Sequence, residues 1–274
     1  MQIDFPLDFP PKVAKINIID NVTECHIISD VHGCFTELCQ LLCKLGYEEI
    51  ISKFLANQPL PNNLQLPKII FVGDLVDRGE GVLQTLKLVI QMCKNGLAMC
   101  VMGNHDWKFF KWLLGKEVEI KHGIDKSIAQ LQSLIPVEQK ILRGDLIQFF
   151  INLPFAVRLD NQSLTVAHAA WHNGLLTGSA GEVRAYTMYG PVTGKKTPEG
   201  YSERIDWAKN YNENGLVVFG HQVYKTPYIN PHAIGIDTGC VYGGWLTSIH
   251  YPSLKLTQVK SKFVRCESKR LAYK

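Results

Sequence analysis

Short apolar runs alternate with segments of helical periodicity through the first 115 residues of the chain. The runs cover residues 25–29, 68–72 and 97–102, and each is followed by a glycine or an aspartate. This alternation is typical of β-α-β units, in which right-handed helical crossovers join parallel strands. We therefore predict an α/β sheet that contains these three runs as strands.

Two helices are predicted as the crossovers. Apolar residues recur on one helix face between residues 35 and 45, and Gly46 follows as a stop signal. The same periodicity extends from residue 82 to 93, before Gly96. Between residues 53 and 67, three prolines and several amide side chains predict an irregular surface loop.

The remainder of the chain predicts a helical insertion and then a second sheet. The pattern is helical from about residue 105 to 150, and short strands are predicted at 164–167, 216–219, 233–236, 245–251 and 254–259. These strands predict a mixed sheet that faces the first one. Because no repeat or low-complexity linker separates the halves, we interpret residues 1–274 as a single domain with a core at about residues 24–258.

Composition and charge exclude several classes of protein. With 46% hydrophobic and 20% charged residues, the 274-residue chain is not disordered, collagen-like or a coiled coil. The net charge is +4, and the basic tail, residues 260–274, holds six basic residues against one acidic residue. The rest of the chain is too close to neutral for a long nucleic-acid track. We interpret the tail as a solvated terminus, with contact to phosphate or a membrane surface as the alternative.

Cysteine usage and the N-terminal sequence bear on the compartment. The eight cysteines form no C-x-x-C pair, and we interpret them as reduced residues of a cytoplasmic protein. The first twelve residues, MQIDFPLDFPPK, lack the pattern of a signal peptide. No apolar stretch reaches the length of about 18 residues that a transmembrane helix needs. The sequence leaves the oligomeric state open.

Polar residues follow the predicted strands at the points where these strands end. In open α/β sheets, ligands bind outside the carboxyl ends of the strands, so side chains far apart in sequence can meet there. The residues concerned are Asp30, His32, Asp74, Asn104, His168 and His221. Carboxylate, amide and imidazole donors without cysteine suit Mn, Fe or Zn better than Ca or Mg.

The number of donors favours two ions over one. Six candidate ligands exceed the four that a single tetrahedral ion takes, and a carboxylate can bridge two metals. Each motif alone has an ordinary structural explanation as a turn or a helix cap. Their joint occurrence in this order, each at a strand end, favours a metal site.

Three of these signatures resemble those of the calcineurin-like metallophosphoesterases, in the phosphoprotein-phosphatase branch. They are Asp30-Val31-His32-Gly33, Gly73-Asp74-Leu75-Val76-Asp77-Arg78-Gly79 and Gly103-Asn104-His105-Asp106, followed by two histidines. Residues 189–190, 220–221 and 236–244 look closer to two bacterial groups, the diadenosine-tetraphosphatase-like proteins and the phosphatase domain of polynucleotide kinase-phosphatase. The resemblance spans about residues 24–258. Ser29 and Gln222 depart from the pattern, where Gly and Thr are usual.

The resemblance implies a fold and a set of roles. The fold is a four-layer αββα sandwich of two mixed sheets flanked by helices, with a helical insertion. It implies two divalent ions, Mn before Fe or Zn, which turn a shared water into a bridging hydroxide for in-line attack on phosphorus. It implies that Asp30 and His32 hold one ion, that Asp74 bridges, and that the other ion is held by Asn104, His168 and His221.

The remaining roles concern proton transfer and phosphate binding. The pKa of an imidazole suits His105 as a general acid, and Asp77 would orient it. Arg78 can offer a planar fork to a phosphate group, and Asn104 is also a candidate substrate contact.

Three further residues keep two interpretations each. Arg184 is either a second phosphate contact or part of a surface ion pair. Asp237 is either an active-site acid that contacts substrate or a turn residue. Trp171 is an aromatic that either stacks on a substrate base or packs in the core.

The function indicated is hydrolysis of phosphoesters or phosphoanhydrides. We rank nucleotide substrates such as diadenosine tetraphosphate first and phosphorylated Ser, Thr or Tyr of proteins second. A catalytically silent metal-binding scaffold is the alternative from another class. A nucleotide-cofactor oxidoreductase is excluded because no G-x-G-x-x-G follows the first strand.

Overall fold

Strands and helices alternate along the chain in the computed structural model, which describes residues 14–61, 64–198 and 200–267. The strands are β1 (Ile16–Ile19), β2 (Cys25–Ile28), β3 (Lys68–Phe71), β4 (Ala98–Cys100), β5 (Ala156–Leu159), β6 (Leu164–Ala167), β7 (Val192–Lys196), β8 (Ser202–Arg204), β9 (Leu216–Phe219), β10 (Tyr228–Asn230), β11 (Ala233–Gly235), β12 (Trp245–Tyr251) and β13 (Lys255–Lys260). The helices are α1 (Phe35–Lys44), α2 (Glu48–Leu55), α3 (Val82–Lys94), α4 (Asn104–Leu113), α5 (Ile124–Gln132), α6 (Pro136–Asn152) and α7 (Ala180–Tyr189).

Two mixed sheets hold most of these strands. The first has the order β13-β12-β2-β3-β4, with β2, β3 and β4 parallel and β12 antiparallel to β2. The second has the order β1-β5-β6-β9-β11-β10, with β6, β9 and β11 parallel. A separate hairpin is formed by β7 and β8. The predicted pair of mixed sheets is therefore confirmed. The assignment of β12 and β13 to the second sheet is wrong, because β12 returns to pair with β2 and extends the first sheet.

Apolar side chains from both sheets meet in the layer between them. Ile27 and Ile70 of the first sheet are buried in one cluster with Val157, Val166 and Val218 of the second. Because side chains alternate along a strand, the neighbouring residues point to the outer faces. The outer face of the first sheet packs on α1 and α3.

The outer face of the second sheet is covered near β9. Phe219, one residue after the inward-facing Val218, lies with its ring 4.9 Å from that of Trp207, centroid to centroid. The sheets are thus enclosed between outer layers, as the resemblance implied.

Several elements differ from the sequence expectations. Helix α2 ends at Leu55, inside the predicted loop at 53–67. The predicted insertion at 105–150 consists of three helices, α4 to α6, interrupted by the non-helical residues 116–121 and neighbouring turns. Strands β1, β5 and β10, hairpin β7–β8 and helix α7 were not predicted. All five residues of β7 are exposed, so no apolar alternation marked this strand.

The basic tail also differs from its expectation. Residues 268–274 lie outside the described residues. Within the described part, the Arg265 side chain is only 4% exposed and forms ion pairs with Glu37 and Glu80, so it is not a solvated residue. Within the described residues, no helix is long and apolar enough to cross a membrane.

Candidate metal centre

The predicted site residues converge because both sheets direct the carboxyl ends of their parallel strands to one edge. Asp30 and His32 follow β2, and Asp74 follows β3. Asn104 begins α4 after β4, while the second sheet contributes His168 after β6 and His221 after β9.

Asp74 lies at the centre of these residues. Its Oδ2 atom is 3.5 Å from Nε2 of His32 and 3.5 Å from Nε2 of His168. Its Oδ1 atom accepts a hydrogen bond from the backbone N–H of His105 at 2.9 Å. The donor atoms form two clusters, His32-Asp74-His105 and Asp74-His168-His221, each within 4.8 Å. Asp74 is shared by both clusters, which suits a carboxylate that bridges a pair of ions. The first cluster includes His105, the predicted proton donor, and Asp30 belongs to neither cluster.

The two histidines beside Asp74 present the same ring nitrogen to it. Nδ1–H of His32 donates to the Val76 carbonyl oxygen at 2.8 Å, and Nδ1–H of His168 donates to the Val72 carbonyl oxygen at 2.9 Å. This second contact fixes the tautomer and leaves Nε2 as the donor atom for a metal. Burial lowers the pKa of His168 to about 3 and that of His32 well below its usual value, so both rings are neutral, as metal ligands must be.

Asp30 lies beside the backbone of His221. Both of its carboxylate oxygens are 3.1 Å from the backbone N–H of His221, which donates to them. A Cβ atom at position 220 would lie 2.0 Å from Oδ1 of Asp30, so only Gly220 permits this approach. Burial first, and then the charges of Asp237 and Asp74, raise the pKa of Asp30. Divalent cations would relieve this repulsion, and the donor set therefore fits the ions.

Two residues of the third motif have different partners. Oδ1 of Asn104 is 3.0 Å from Nε2 of His168, which places the amide beside the second cluster. Asp106 instead accepts hydrogen bonds from the backbone N–H groups of Asp74 and Leu75 at 2.7 and 3.0 Å. Asp106 thus holds the loop of Asp74 in place.

His105 and Asp77 form a buried pair. Nδ1–H of His105 donates to Oδ2 of Asp77 at 2.6 Å, and the Ser127 hydroxyl donates to Oδ1 at 2.6 Å. Burial raises the pKa of Asp77 to about 7, while the hydrogen bond from Ser127 acts to lower it. Burial and the charge of Arg78 lower the pKa of His105.

Arg78 lies between His32 and the His105–Asp77 pair. Its Nη1 donates to Nε2 of His32 at 2.6 Å and its Nη2 to Nε2 of His105 at 2.7 Å. The guanidinium carbon is 5.3 Å from the centre of the Tyr242 ring. A planar cation at this position can contact an anion bound at the clusters.

The structure also shows the surroundings of Asp237, Arg184 and Trp171, which had two interpretations each. Oδ1 of buried Asp237 accepts from the backbone N–H of Gly239 at 2.9 Å, as in a turn, yet its charge also acts on Asp30. Arg184 lies half-buried on α7. Trp171 is fully buried and packs under Arg158 at 5.7 Å, so the structure supports its packing role.

The sequence analysis gave no role to two residues near the centre. The charge of Arg204, at the end of β8, lowers the pKa of Asp74, of His168 and of Asp237. Tyr189, at the end of α7, is 44% exposed, and the charge of Asp74 contributes to its raised pKa after burial. Neither residue belongs to a strand-end motif; Tyr189 stood in the sequence only as part of the resemblance at residues 189–190, and no local signal marked Arg204.

Comparison with known families shows to which family the chain belongs. A family model described as calcineurin-like phosphoesterase matches residues 25–225, which contain all six predicted metal ligands. The chain belongs to this family. A calcineurin-like phosphoesterase is a hydrolase of phosphoester or phosphoanhydride bonds, and the family implies a dinuclear centre of divalent ions.

Curated relatives of this phosphoesterase include nucleotide hydrolases. The bis(5'-nucleosyl)-tetraphosphatase PrpE (asymmetrical) of Geobacillus sp. (strain WCH70) is 37% identical over 235 residues, which cover 86% of this chain and 93% of the relative. The protein of the same name from Bacillus cereus (strain Q1) is 34% identical over 236 residues, with the same coverage.

Solved structures give the same picture of the phosphoesterase fold. A crystal structure of a protein assigned as a diadenosine tetraphosphatase superposes with a TM-score of 0.63 at 25% identity, and covers 91% of this chain and 99% of that one. A protein serine/threonine phosphatase of Saccharomyces cerevisiae superposes with a TM-score of 0.58 at 14% identity, over 91% of this chain and 84% of that one, and shares the fold.

Proposed function

We propose that the protein hydrolyses nucleotide phosphoanhydrides, with diadenosine tetraphosphate as the model substrate, in the cytoplasm and with Mn²⁺ as the preferred metal. The observation that carries this proposal is the 37% identity to a bis(5'-nucleosyl)-tetraphosphatase over 93% of its length. The donor set of carboxylates, imidazoles and one amide agrees with Mn²⁺.

The proposed ligands divide between two ions. Asp30, His32 and Asp74 hold the first ion, and the second is held by Asp74, Asn104, His168 and His221. When bound, the ions supply an acidified water and neutralise charge on the phosphate oxygens. Asp74 is proposed as the bridge because its Oδ2 is equidistant, at 3.5 Å, from a histidine of each set.

His105 is proposed as the proton donor to the leaving group. Because Nδ1–H of His105 donates to Asp77, Nε2 of His105 is the atom that carries the transferred proton toward the substrate. The Asp77 carboxylate stabilises the imidazolium form, which burial alone would disfavour. Ser127 in turn fixes the carboxylate from helix α5.

Arg78 and Arg204 are proposed as the groups that bind the phosphate chain. The Arg78 guanidinium lies 2.6 and 2.7 Å from ring nitrogens of His32 and His105, so a phosphate that replaces these contacts would sit beside both. A chain of four phosphates carries several negative charges, and Arg204, whose charge acts on Asp74, His168 and Asp237, would bind part of it. The exposed ring of Tyr189 offers a surface for a base.

The experiment is a substrate panel with purified protein and Mn²⁺. Diadenosine tetraphosphate, cyclic nucleotides, a phosphopeptide and p-nitrophenyl phosphate are compared by kcat/KM. We expect the dinucleotide to exceed the phosphopeptide by at least about 100-fold, since specificity is a difference in transition-state binding. A higher kcat/KM for the phosphopeptide would instead support the protein-phosphatase alternative.

The His105→Ala variant separates catalysis from scaffolding. Loss of a general acid lowers the rate by about 10²- to 10⁴-fold. We expect this loss together with an unchanged metal content, because His105 is proposed to donate a proton and not to bind an ion. A wild-type protein that hydrolyses none of the panel with any divalent metal would favour the scaffold.

A further inference from the structure

The segment that follows β13, residues 261–267, lies against the residues that contact Arg78. Val264 pairs with Tyr242 in an antiparallel bridge, and the backbone N–H of Arg265 donates to the Val241 carbonyl oxygen at 3.0 Å. Tyr242 is the residue whose ring lies 5.3 Å from the Arg78 guanidinium carbon. The segment therefore fixes the backbone that carries this ring.

Arg265 anchors the segment by its side chain. Its Nη1 and Nη2 donate to the two carboxylate oxygens of Glu37 at 2.9 and 3.0 Å, and its Nε donates to Glu80 at 2.6 Å. Glu37 belongs to α1, which begins just after the His32 loop, and Glu80 is two residues after Arg78. A bidentate ion pair is geometrically specific. One guanidinium thus ties residues 261–267 to two of the motif loops.

Lys126 makes a second connection to Arg78. Its Nζ donates to the carbonyl oxygen of Arg78 at 2.7 Å and to that of Arg265 at 3.2 Å. Arg78 has a φ angle of +70°, which is unfavourable for a residue with a Cβ atom. Contacts from outside its own loop are what maintain such a conformation.

We propose that residues 261–267 position Arg78 for phosphate binding, with Arg265 as the anchor and with Tyr242 and Lys126 as the contacts to Arg78. The inference rests on the proposed function, since it takes Arg78 to bind substrate phosphate. The Tyr242 ring restricts the guanidinium, so that less freedom is lost when the substrate binds. Arg265 does not touch the substrate and is a positioning residue.

The contact between Tyr242 and Arg78 is tested by two substitutions. Tyr242→Phe keeps the ring face over the guanidinium, whereas Tyr242→Leu removes it. We expect Tyr242→Leu to raise KM or lower kcat/KM by about 3- to 10-fold, the range of one cation–π contact, and Tyr242→Phe to remain within about twofold of wild type. Equal kcat/KM values for the two variants would overturn the role of the ring.

The anchor is tested with Arg265→Lys, because Arg265→Ala leaves the buried Glu37 carboxylate unpaired and can unfold the protein. Lysine keeps the charge and loses the bidentate geometry. We expect kcat/KM to fall by about 3- to 10-fold, and by less than about twofold when Arg78 is already alanine, since coupled residues are not additive. Lys262→Ala removes an exposed charge of the same segment and is the matched control.

The double-variant comparison distinguishes the possible failures. The same loss in the wild-type and Arg78→Ala backgrounds would show that Arg265 acts on the fold and not through Arg78, which overturns this inference alone. An undiminished kcat/KM in Arg78→Ala itself would overturn both the inference and the proposed role of Arg78.

Discussion

Asp74 illustrates how much of the site depends on single residues. It is 2% exposed, has a φ angle of +52°, and shares its carboxylate between the backbone N–H of His105 and the two histidines at 3.5 Å. Burial raises its pKa to about 7, although the charge of Arg78 opposes this rise. A carboxylate in this position is stable as an anion when cations lie next to it.

Asp74→Asn should therefore remove metal as well as activity. Asparagine keeps the shape and the oxygen that accepts from His105, but it removes the negative charge that both proposed ions share. We expect fewer than two ions per chain by elemental analysis, with kcat falling in parallel. Asp145→Asn, at an exposed position on α6, is the control, and two retained ions in Asp74→Asn would contradict the bridging role.

Arg78→Ala should weaken phosphate binding while it leaves the metal content unchanged. Loss of a donor that stabilises developing charge costs about 2 to 4 kcal/mol of transition-state binding. The measurement is kcat/KM together with elemental analysis on the same sample. Loss of metal in this variant would mean that the guanidinium supports the ligands and does not serve the substrate.

The sequence predicted residues whose signal is local. Asp30, His32 and Asp74 stand in short motifs directly after apolar runs, so their meeting point follows from strand topology alone. Ser127 and Arg204 carry no such signal, because each reaches the site through contacts made between distant parts of the chain.

Helix α5 shows the contribution of a whole element. It belongs to the predicted insertion, yet the hydroxyl of Ser127, on its buried face, makes two hydrogen bonds to Asp77. The hydroxyl accepts from the Asp77 backbone N–H at 2.9 Å and donates to the Asp77 carboxylate at 2.6 Å. Gly123, just before α5, accepts from the backbone N–H of Arg78 at 3.2 Å. The sequence analysis identified the helical pattern of the insertion, but periodicity does not show which polar residue of a helix faces a site.

Ser127→Ala should change the pH dependence of the reaction. The Ser127 hydroxyl lowers the pKa of Asp77, so its removal raises that pKa further above its ordinary value. At neutral pH more Asp77 is then protonated, and we expect lower kcat that recovers as the pH rises. A buried group that loses its partner also lowers the free energy of unfolding by about 1 to 3 kcal/mol. Ser133→Ala, exposed at the end of the same helix, is the control; an unshifted pH–rate profile would contradict the role.

At the scale of the whole molecule, the centre joins the two sheets. His32 comes from the first sheet and His168 from the second, and their ring nitrogens approach the same carboxylate oxygen. Most strands of the two sheets could be predicted from apolar runs, which are a property of each strand, but the return of β12 and β13 to the first sheet could not, because it depends on pairing between distant parts of the chain. The position of hairpin β7–β8 could not, since its exposed residues carry no periodic pattern.

Metal removal should make stability depend on pH. Burial raises the pKa of Asp74 and of Asp77 to about 7, above the value of an unfolded aspartate. Their stabilising contribution is therefore present at low pH and is lost as the pH rises through 7. The buried histidines have lowered pKa values, so they change the free energy of unfolding only below about pH 6.5, the pKa of an unfolded histidine. Most of this loss lies between the unfolded and folded pKa values, so between about pH 6.5 and 8.5 we expect the free energy of unfolding of the metal-free protein to fall by a further amount of just under about 1 kcal/mol per carboxylate.

This fall in the free energy of unfolding is measured by denaturant unfolding at the two pH values in the presence of a chelator. Added Mn²⁺ should stabilise the protein more at the higher pH, because ionised carboxylates bind the cation. A free energy of unfolding that rises between these pH values in the metal-free protein would contradict the expected fall.

The pairing of β12 with β2 has a consequence for biosynthesis. β2 is flanked by β3 on one side and by β12 on the other, and β12 is synthesised long after both. While the ribosome is still making the middle of the chain, the edge of β2 has unsatisfied amide and carbonyl groups that can pair with another nascent chain. Ser29 then closes the gap when the late strand arrives, since its backbone N–H donates to the Thr247 carbonyl oxygen at 2.9 Å and its hydroxyl accepts from the Thr247 N–H at 3.2 Å. The loop of Asp30 and His32 thus acquires this support only after β12 has been synthesised.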